Sequence, residues 1–376
     1  MQVEKRYRGR ISQIPVCLGK MLRMFFYQND WTVLPLSAAV AGLVGIVIRH
    51  RIFINMEGTL MSGLAVTSVC LWNGCFNSIQ AICREREIVK REHRGGMHIT
   101  SYIMSHMIYQ ALICAVQTGI ILFVFKYIGV RFPEHSIFER NFLIEYFISL
   151  FLITYAADMM SLFISALCRS TTTAMTVMPV VLILQLVFSG GMITLPKVLD
   201  PLSDYFISNT GFKLIASEAN YNNLELTTAW SAVEQIKNNE ISGTVTLGQI
   251  IDIINNSESA TMQSVKSVQI LGNDGNAGTL TIGDIVAELS EENPDAHNLR
   301  KEEIPYKTSV GDLLEIAGEQ NVRSYVVKST SRSAQREAYD YNAANVIGYW
   351  LKLAAYSLFF AVLAVIFLEF IDKDKR

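Results

Sequence analysis

Residues 72–103 read WNGCFNSIQAICREREIVKREHRGGMHITSYI, and the character of the chain changes twice along this stretch. It opens in the tail of a long apolar run. It then crosses 84–94, where eight of eleven residues are Asp/Glu/Lys/Arg, and passes Gly95-Gly96 into a second apolar run. A helix needs about 20 residues to cross the hydrocarbon core of a bilayer. Between the two runs, Glu, Arg and Lys favour helix and pair at i,i+3 and i,i+4 spacing until the glycines stop it. The pattern predicts two membrane spans joined by a short charged helix over 84–95.

Outward from there, six stretches are long and apolar enough to span: about 32–49, 59–82, 98–125, 143–167, 172–195 and 347–371. The composition agrees, with 51% hydrophobic and 18% charged residues in a chain of 376. No stretch reads as a cleaved signal peptide, since the first 30 residues carry six Lys/Arg and no short apolar core before a cleavage site. One set of short flanks holds 15 Lys/Arg and the other five. The excess of positive charge places both termini in the cytoplasm, in accord with an even number of spans. Residues 7–28 mix basic and apolar side chains and predict a helix lying at the cytoplasmic interface.

On this topology the segment before the last span lies outside. Residues 196–346 carry 21 Asp/Glu against 11 Lys/Arg, an acidic balance that argues against a nucleic-acid partner. It contains no cysteine; the six cysteines fall in spans or on the cytoplasmic side, so no disulfide staples the external region, a mild pointer to a bacterial protein. The segment repeats itself. Thr244-Val-Thr246-Leu-Gly248-Gln-Ile-Ile is echoed by Thr279-Leu-Thr281-Ile-Gly283-Asp-Ile-Val and again by Lys307-Thr308-Ser309-Val-Gly311-Asp-Leu-Leu. Each copy reads as an extended segment, a Thr/Ser N-cap and an amphipathic helix. The repeat predicts a small α+β insert at about 240–335 whose strands pair across copies.

The expected architecture is therefore mainly α: a six-helix transmembrane bundle with an N-terminal interfacial helix and a small α+β extracellular domain before the last span. By region, 1–30 is cytoplasmic and interfacial and 31–195 holds five spans. Residues 196–345 form the external segment, and 346–376 the last span and tail.

Polar residues inside spans carry the functional reading, because they are costly in lipid. Asn73, Asn77 and Gln80 share one face of span two, beside Phe76. Thr154, Asp158, Ser161 and Ser165 form a stripe on span four. Both stripes should face the bundle interior, a subunit seam or a watery path; interhelical hydrogen bonding explains them equally well. No G-x-x-x-x-G-K-[ST] cradle occurs, so the chain binds no nucleotide phosphate by that route. No His/Cys/Asp/Glu cluster has metal-ligand spacing, and no catalytic constellation is visible.

At the level of motifs, the stretch 72–103 resembles ABC exporter permeases of the G (White) subfamily and their bacterial relatives. The pattern Glu-Arg-x-x-x-x-Arg-Glu is met by Glu85, Arg86, Arg91 and Glu92, followed by the aromatic Tyr102. Phe188-Ser189-Gly190, Tyr205-Phe206 and Gly211-Phe212, then Glu218 and Asn220, are similar to that family's stretch after span five. The likeness covers 7–235 and 340–376.

It implies a type-2 ABC exporter permease, a homodimer or heterodimer in the cell membrane and in contact with its lipid. Such a permease is driven by a partner ABC ATPase that holds the ATP and Mg, and has no cofactor of its own. It implies that Glu85, Arg86, Arg91 and Glu92 couple to the ATPase. Asn73 and Phe76 of span two and Ile183 and Leu186 of span five line a substrate path, with Asn77 and Asp158 beside it. Gly190, Gly191 and Met192 form the exit gate. The chain departs from the family in having Gly191 and Met192 where paired leucines stand. Its external segment is also longer and lacks cysteine. Two other classes remain open from the residues alone: a membrane-anchored receptor or scaffold with an extracellular ligand-binding domain, and a transporter driven by protons through Asp158.

Overall fold

The computed structural model describes residues 9–134, 136–138, 141–191, 196, 199–256, 263, 266–267, 269–271, 277–290 and 298–369. They form two compact units, 1–228 with 327–376, and Ala229–Val326.

The first unit is helical. Helix α1 (Arg10–Tyr27) leads through a 3₁₀ turn at Asp30–Thr32 into α2 (Val33–Ile48), α3 (Met56–Ser78), α4 (Ala81–Arg94), α5 (Ile99–Ile128), α6 (Phe142–Leu167) and α7 (Thr171–Val187). Helix α8 (Ile207–Glu218) follows. Among the described residues, five helical stretches are long and apolar enough to cross a membrane: Asp30–Ile48, Met56–Arg94, Ile99–Ile128, Phe142–Leu167 and Ala343–Glu369. The chain is a multi-pass membrane protein.

The apolar stretch expected to span 172–195 is helical only as far as Val187. Its 17 residues make about 25 Å of helix, short of a ~30 Å hydrocarbon core. It stops because Phe188 and Ser189 turn into Gly190 at φ +74°, a left-handed conformation that glycine adopts without Cβ strain. Likewise the second stretch breaks at Ile79–Gln80, so the charged helix begins at Ala81 rather than at Arg84.

Helix starts are chemically marked. Asn55 accepts a hydrogen bond from Gly58 N at 2.8 Å ahead of α3, Asn141 accepts from Leu143 N at 3.1 Å ahead of α6, and Ser170 from Thr173 N at 3.2 Å ahead of α7. Each satisfies one orphan amide of a helix first turn.

Lipid offers no hydrophobic drive for helices to associate, so packing and hydrogen bonds must hold the bundle. The tightest seam runs between α3 and α6. A Cβ on Gly74 would overlap the Thr154 carbonyl and lie 2.8 Å from Asp158 N. Only a residue without a side chain lets these backbones cross so closely. Leu43, Ile46 and Val47 on α2 point outward as a lipid-facing surface would.

The second unit begins within α9 (Thr228–Ile236) and contains β1 (Glu240–Thr246), α10 (Leu247–Asn256), β2 (Gln269–Leu271), β3 (Ala277–Thr281) and α11 (Ile282–Ser290). It continues through β4 (Glu303–Ser309) and α12 (Val310–Ala317) into α13 (Glu319–Ala334). The last long helix, α14 (Ala343–Glu369), returns to the first unit.

Strands β1 and β4 pair antiparallel with Glu240 opposite Ser309 and Thr246 opposite Glu303, and β2 pairs with β3. The first and third repeat copies thus pair with each other, while the second pairs with β2. All three copies enter their helix through the same reciprocal bonds. Thr246 N donates to Gln249 Oε1 at 3.1 Å, and Gln249 N donates to Thr246 Oγ1 at 3.3 Å. Thr281 with Asp284 and Ser309 with Asp312 repeat the box at 2.9–3.2 Å. The outer copies are also exchanged across the ribbon: Gly248 N donates to Arg300 O at 2.9 Å, and Gly311 N to Lys237 O at 2.8 Å. This is a local pseudo-two-fold.

Candidate functional site

The polar stripe of α3 meets polar residues of α2, α5 and α6. Asn77 and Gln117 exchange amide bonds at 2.8 and 3.0 Å, and Asn77 also reaches Asp158 Oδ2 at 3.5 Å. Cys114 donates to the same carboxylate oxygen at 3.2 Å. The other oxygen, Oδ1, has no partner among the described residues. One turn along α3, Asn73 donates to Ser37 of α2 at 2.9 Å. The structure thus brings Asn77 and Asp158 together and turns Asn73 toward α2.

Hydroxyls tie α6 to α3 and α4 through backbone groups on both sides. Ser78 Oγ donates to Asp158 O at 2.7 Å and Ser161 Oγ to Cys75 O at 2.8 Å, while Thr154 bonds within its own helix. Ser165 Oγ accepts from Ile82 N and Cys83 N at 3.0 and 3.1 Å. A hydroxyl from α6 therefore caps the start of α4, which explains why α4 begins at Ala81. Contacts of this kind in membrane proteins are worth about 0.6 kcal/mol each.

Helix α4 is held from both sides. Glu85 is buried and pairs with Lys20 of α1 at 3.4 Å; Glu92 pairs with the same lysine at 3.2 Å. Burial works against the Lys20 ammonium, but Glu85 and then Glu92 outweigh it and hold the group above its ordinary value. Arg86 donates to the Ala166 and Cys168 carbonyls at 2.9 and 3.1 Å, filling acceptors that the C-terminus of α6 leaves open. Gln13 of α1 clasps the following loop, donating to Gly96 O at 3.1 Å and accepting from His98 N at 2.9 Å.

Of the four residues marked for coupling, Glu85 and Arg86 thus face inward and Glu92 faces α1. Arg91 is exposed, and Glu87 and Ile88 share that open face. These last two were not marked from the sequence; the signal was the lone Ile88-Val89 pair, whose valine is buried while its isoleucine is exposed.

Two cavities lie beside the Asn77 knot. One of about 200 Å³ is bordered by α1, the Asp30 turn, α3, α4 and α5. The other, about 150 Å³, lies between α2 and α3 with Gln117 at its edge. Phe76 borders both, and Asn73 only the second. Neither includes Ile183 or Leu186, which sit on α7, the former exposed and the latter half-buried. His106, Gln110, Cys114 and Gln117 on α5 were missed. Their near-four-residue spacing in an apolar span was the available signal.

At the end of α7, Gln185 ties to α8, accepting from Ser208 N at 3.0 Å while Ser208 Oγ donates to the Gln185 carbonyl. Phe188 stacks on Phe206 with centroids 4.5 Å apart. A Cβ on Gly191 would come within 2.9 Å of the Phe212 ring, so no leucine fits here unless that ring moves. Met192 lies outside the described residues. Glu218 is buried, accepting from Ser149, which in turn accepts from Trp350 Nε1 at 2.7 Å; this chain ties α8, α6 and α14 together. Among the described residues no group of three or more His/Cys/Asp/Glu could hold a metal.

Residues 12–208, just over half of the chain, match the ABC-2 type transporter family. The ABC transporter ATP-binding/permease protein Rv1747 of Mycobacterium tuberculosis is 29% identical over 140 residues, which are 37% of this chain and 16% of that protein. The matched stretch is a small part of that relative's length.

Proposed function

Because this multi-pass chain belongs to the ABC-2 type transporter family, we propose that it is the membrane-spanning half of an ATP-driven exporter for a hydrophobic or amphipathic substrate. ATP and Mg sit on an ATPase carried by another chain or by an adjoining part of a longer polypeptide. Two permease halves meet about a two-fold seam. The topology has six spans, counting the short α7, with both termini, α1 and α4 in the cytoplasm and the unit 229–326 outside. The host is a bacterium.

The observation that carries this reading is the two-faced character of α4. Its inner face is bound to α1 through Lys20 and to the end of α6 through Arg86. Its outer face presents Glu87, Ile88 and Arg91. An aliphatic side chain flanked by charges on an otherwise solvated helix suits a protein partner, whose binding energy concentrates in a few such residues. Closure of the ATPases would press on that face. The push passes through Arg86 to α6, and through the Ser78 and Ser161 bonds to α3. The bundle then tilts as packed bodies rather than by deformation, and the path opens outward at Gly190, Gly191 and Met192.

Affinity purification of the tagged protein from native membranes in a mild detergent tests this. An ATPase should copurify, and Ile88→Asp with Arg91→Glu should abolish its recovery while the permease stays monodisperse. Recovery unchanged by the double variant would remove α4 as the docking face. A second reading, proton-driven transport through Asp158, is motivated by its partnerless Oδ1 in the middle of the bundle. A receptor reading rests on the unit 229–326.

A further inference from the structure

The two cavities beside the Asn77 knot share three residues, Val33, Phe76 and Asn77, and their linings differ in kind. The larger mixes polar and aromatic residues with the aliphatic Met21, Met24 and Ile113; the smaller, apart from its amides, is walled by Val33, Leu36, Val40, Trp72 and Phe76. A mixed polar and aromatic chamber adjoining an apolar slot offers the two environments that an amphiphile needs.

The charges of the larger cavity select among headgroups. Asp30, Arg84 and Glu85 are the only charged residues bordering it. Arg84 is committed to Asp30 through two bonds at 3.3 and 3.0 Å. Glu85 is paired with Lys20, which does not border the cavity. No uncommitted cation is therefore available to a phosphate or carboxylate head. Acceptors and aromatic faces are available. Gln110 Oε1 and the His106 imidazole, which when neutral offers one acceptor nitrogen and one N–H donor, are buried with no partner among the described residues, and Phe25, Phe76 and Tyr109 border the same space. Acceptor oxygens among aromatic rings are the surroundings in which ammonium groups are held.

We propose that these adjoining cavities together bind an alkylammonium amphiphile within a single protomer, its head beside Gln110 and Phe76 and its chain passing Phe76 into the α2–α3 slot. This deepens the exporter reading by naming a substrate class, and rests on it only for what happens after binding.

The probe is a dodecyltrimethylammonium carrying a diazirine in its chain, photolysed against the purified full chain in nanodiscs without ATPase, with adducts located by mass spectrometry. Adducts should fall on Val40, Trp72 and neighbouring slot residues. Unlabelled dodecyltrimethylammonium should displace them at least tenfold more effectively than dodecyl phosphate. Phe76→Ala and Gln110→Leu should each lower labelling about threefold, a loss in keeping with one cation–π or ion–dipole contact. Leu112→Ala, on the outward face of α5, should leave labelling as it is.

Equal displacement by dodecyl phosphate overturns the proposal. So do adducts spread over outward residues such as Leu112 with none in the slot. Displacement is measured on the unaltered protein, so a variant that fails to fold leaves the test intact. Labelling with no ATPase in the purification would remove the exporter reading alone. An ATPase with no slot labelling would remove this inference alone.

Discussion

Replacing Gly74 by alanine tests the central seam of the bundle. The added Cβ would overlap the Thr154 carbonyl and sit 2.8 Å from Asp158 N and 2.9 Å from the Ala157 Cβ. None of these is the end of a flexible side chain, so α3 and α6 must separate, by on the order of 1 Å, to restore van der Waals contact. Overpacking of this kind costs about 1–3 kcal/mol. The same separation stretches the bonds Ser78–Asp158, Ser161–Cys75 and Asn77–Asp158, now 2.7, 2.8 and 3.5 Å, each worth about 0.6 kcal/mol. The total is about 3–5 kcal/mol. At roughly 2–4 °C per kcal/mol for a domain of 150–250 residues, the midpoint should fall by at least about 6 °C.

A thiol-reactive dye reads this directly, because Cys70, Cys75 and Cys114 are buried around the seam and react only when it opens. Gly42→Ala is the control, since nothing lies within 4 Å of a Cβ there. A Gly74→Ala protein with an unchanged midpoint and unreactive cysteines would refute the close crossing, and with it the route from α4 to α3.

Arg86→Ala should leave the Ala166 and Cys168 carbonyls open and cost about 1–3 kcal/mol; faster alkylation of Cys168, at the end of α6, is the expected readout. Asp158→Asn should leave ATP-driven transport intact, and a protonophore should not slow the unaltered protein; a transport rate that collapses in either case would move the mechanism to protons. In the repeat unit, the Thr281 backbone N–H and hydroxyl hold Asp284 below the ordinary carboxylate range, and the Ser309 side chain and backbone do the same for Asp312. A lowered pKa in the fold means that the boxes contribute fully above the unfolded value of about 3.9 and lose their contribution as pH falls through the lower folded value. Hydrogen-exchange protection over 303–317, measured relative to the intrinsic rate at each pH, should therefore fall below about pH 4, and Asp312→Ala should show that lower protection already at neutral pH.

Much of this architecture could be read along the chain because its signals are local. A run of apolar residues predicts a span wherever it occurs, since hydrocarbon demands a helix with its backbone bonds made internally. The three Thr/Ser–x–x–Asp/Gln boxes were legible for the same reason: donor and acceptor lie three residues apart. Boundaries were less legible. The start of α4 depends on Ser165, some eighty residues away, and the end of α7 on whether a backbone turn at Gly190 is taken.

The candidate site divides along the same line. Periodicity put Asn73 and Asn77 on one face of α3 and Asp158 and Ser165 on one face of α6. It could not tell which neighbour each face meets. Asn73 turned out to serve α2, Asn77 to serve α5 and α6, and the α5 polar residues became visible only once packed beside them. Glu85 and Arg91 are equally charged in sequence, yet one is buried against Lys20 and the other is exposed. Sequence by itself determined most of the long apolar helices and which of their stripes had to be sheltered from lipid, because those costs attach to each residue separately. Tertiary structure alone decided which polar groups satisfy one another, which remain without partners among the described residues, and which face of α4 stays exposed, because each of those depends on a second element arriving from a distant part of the chain.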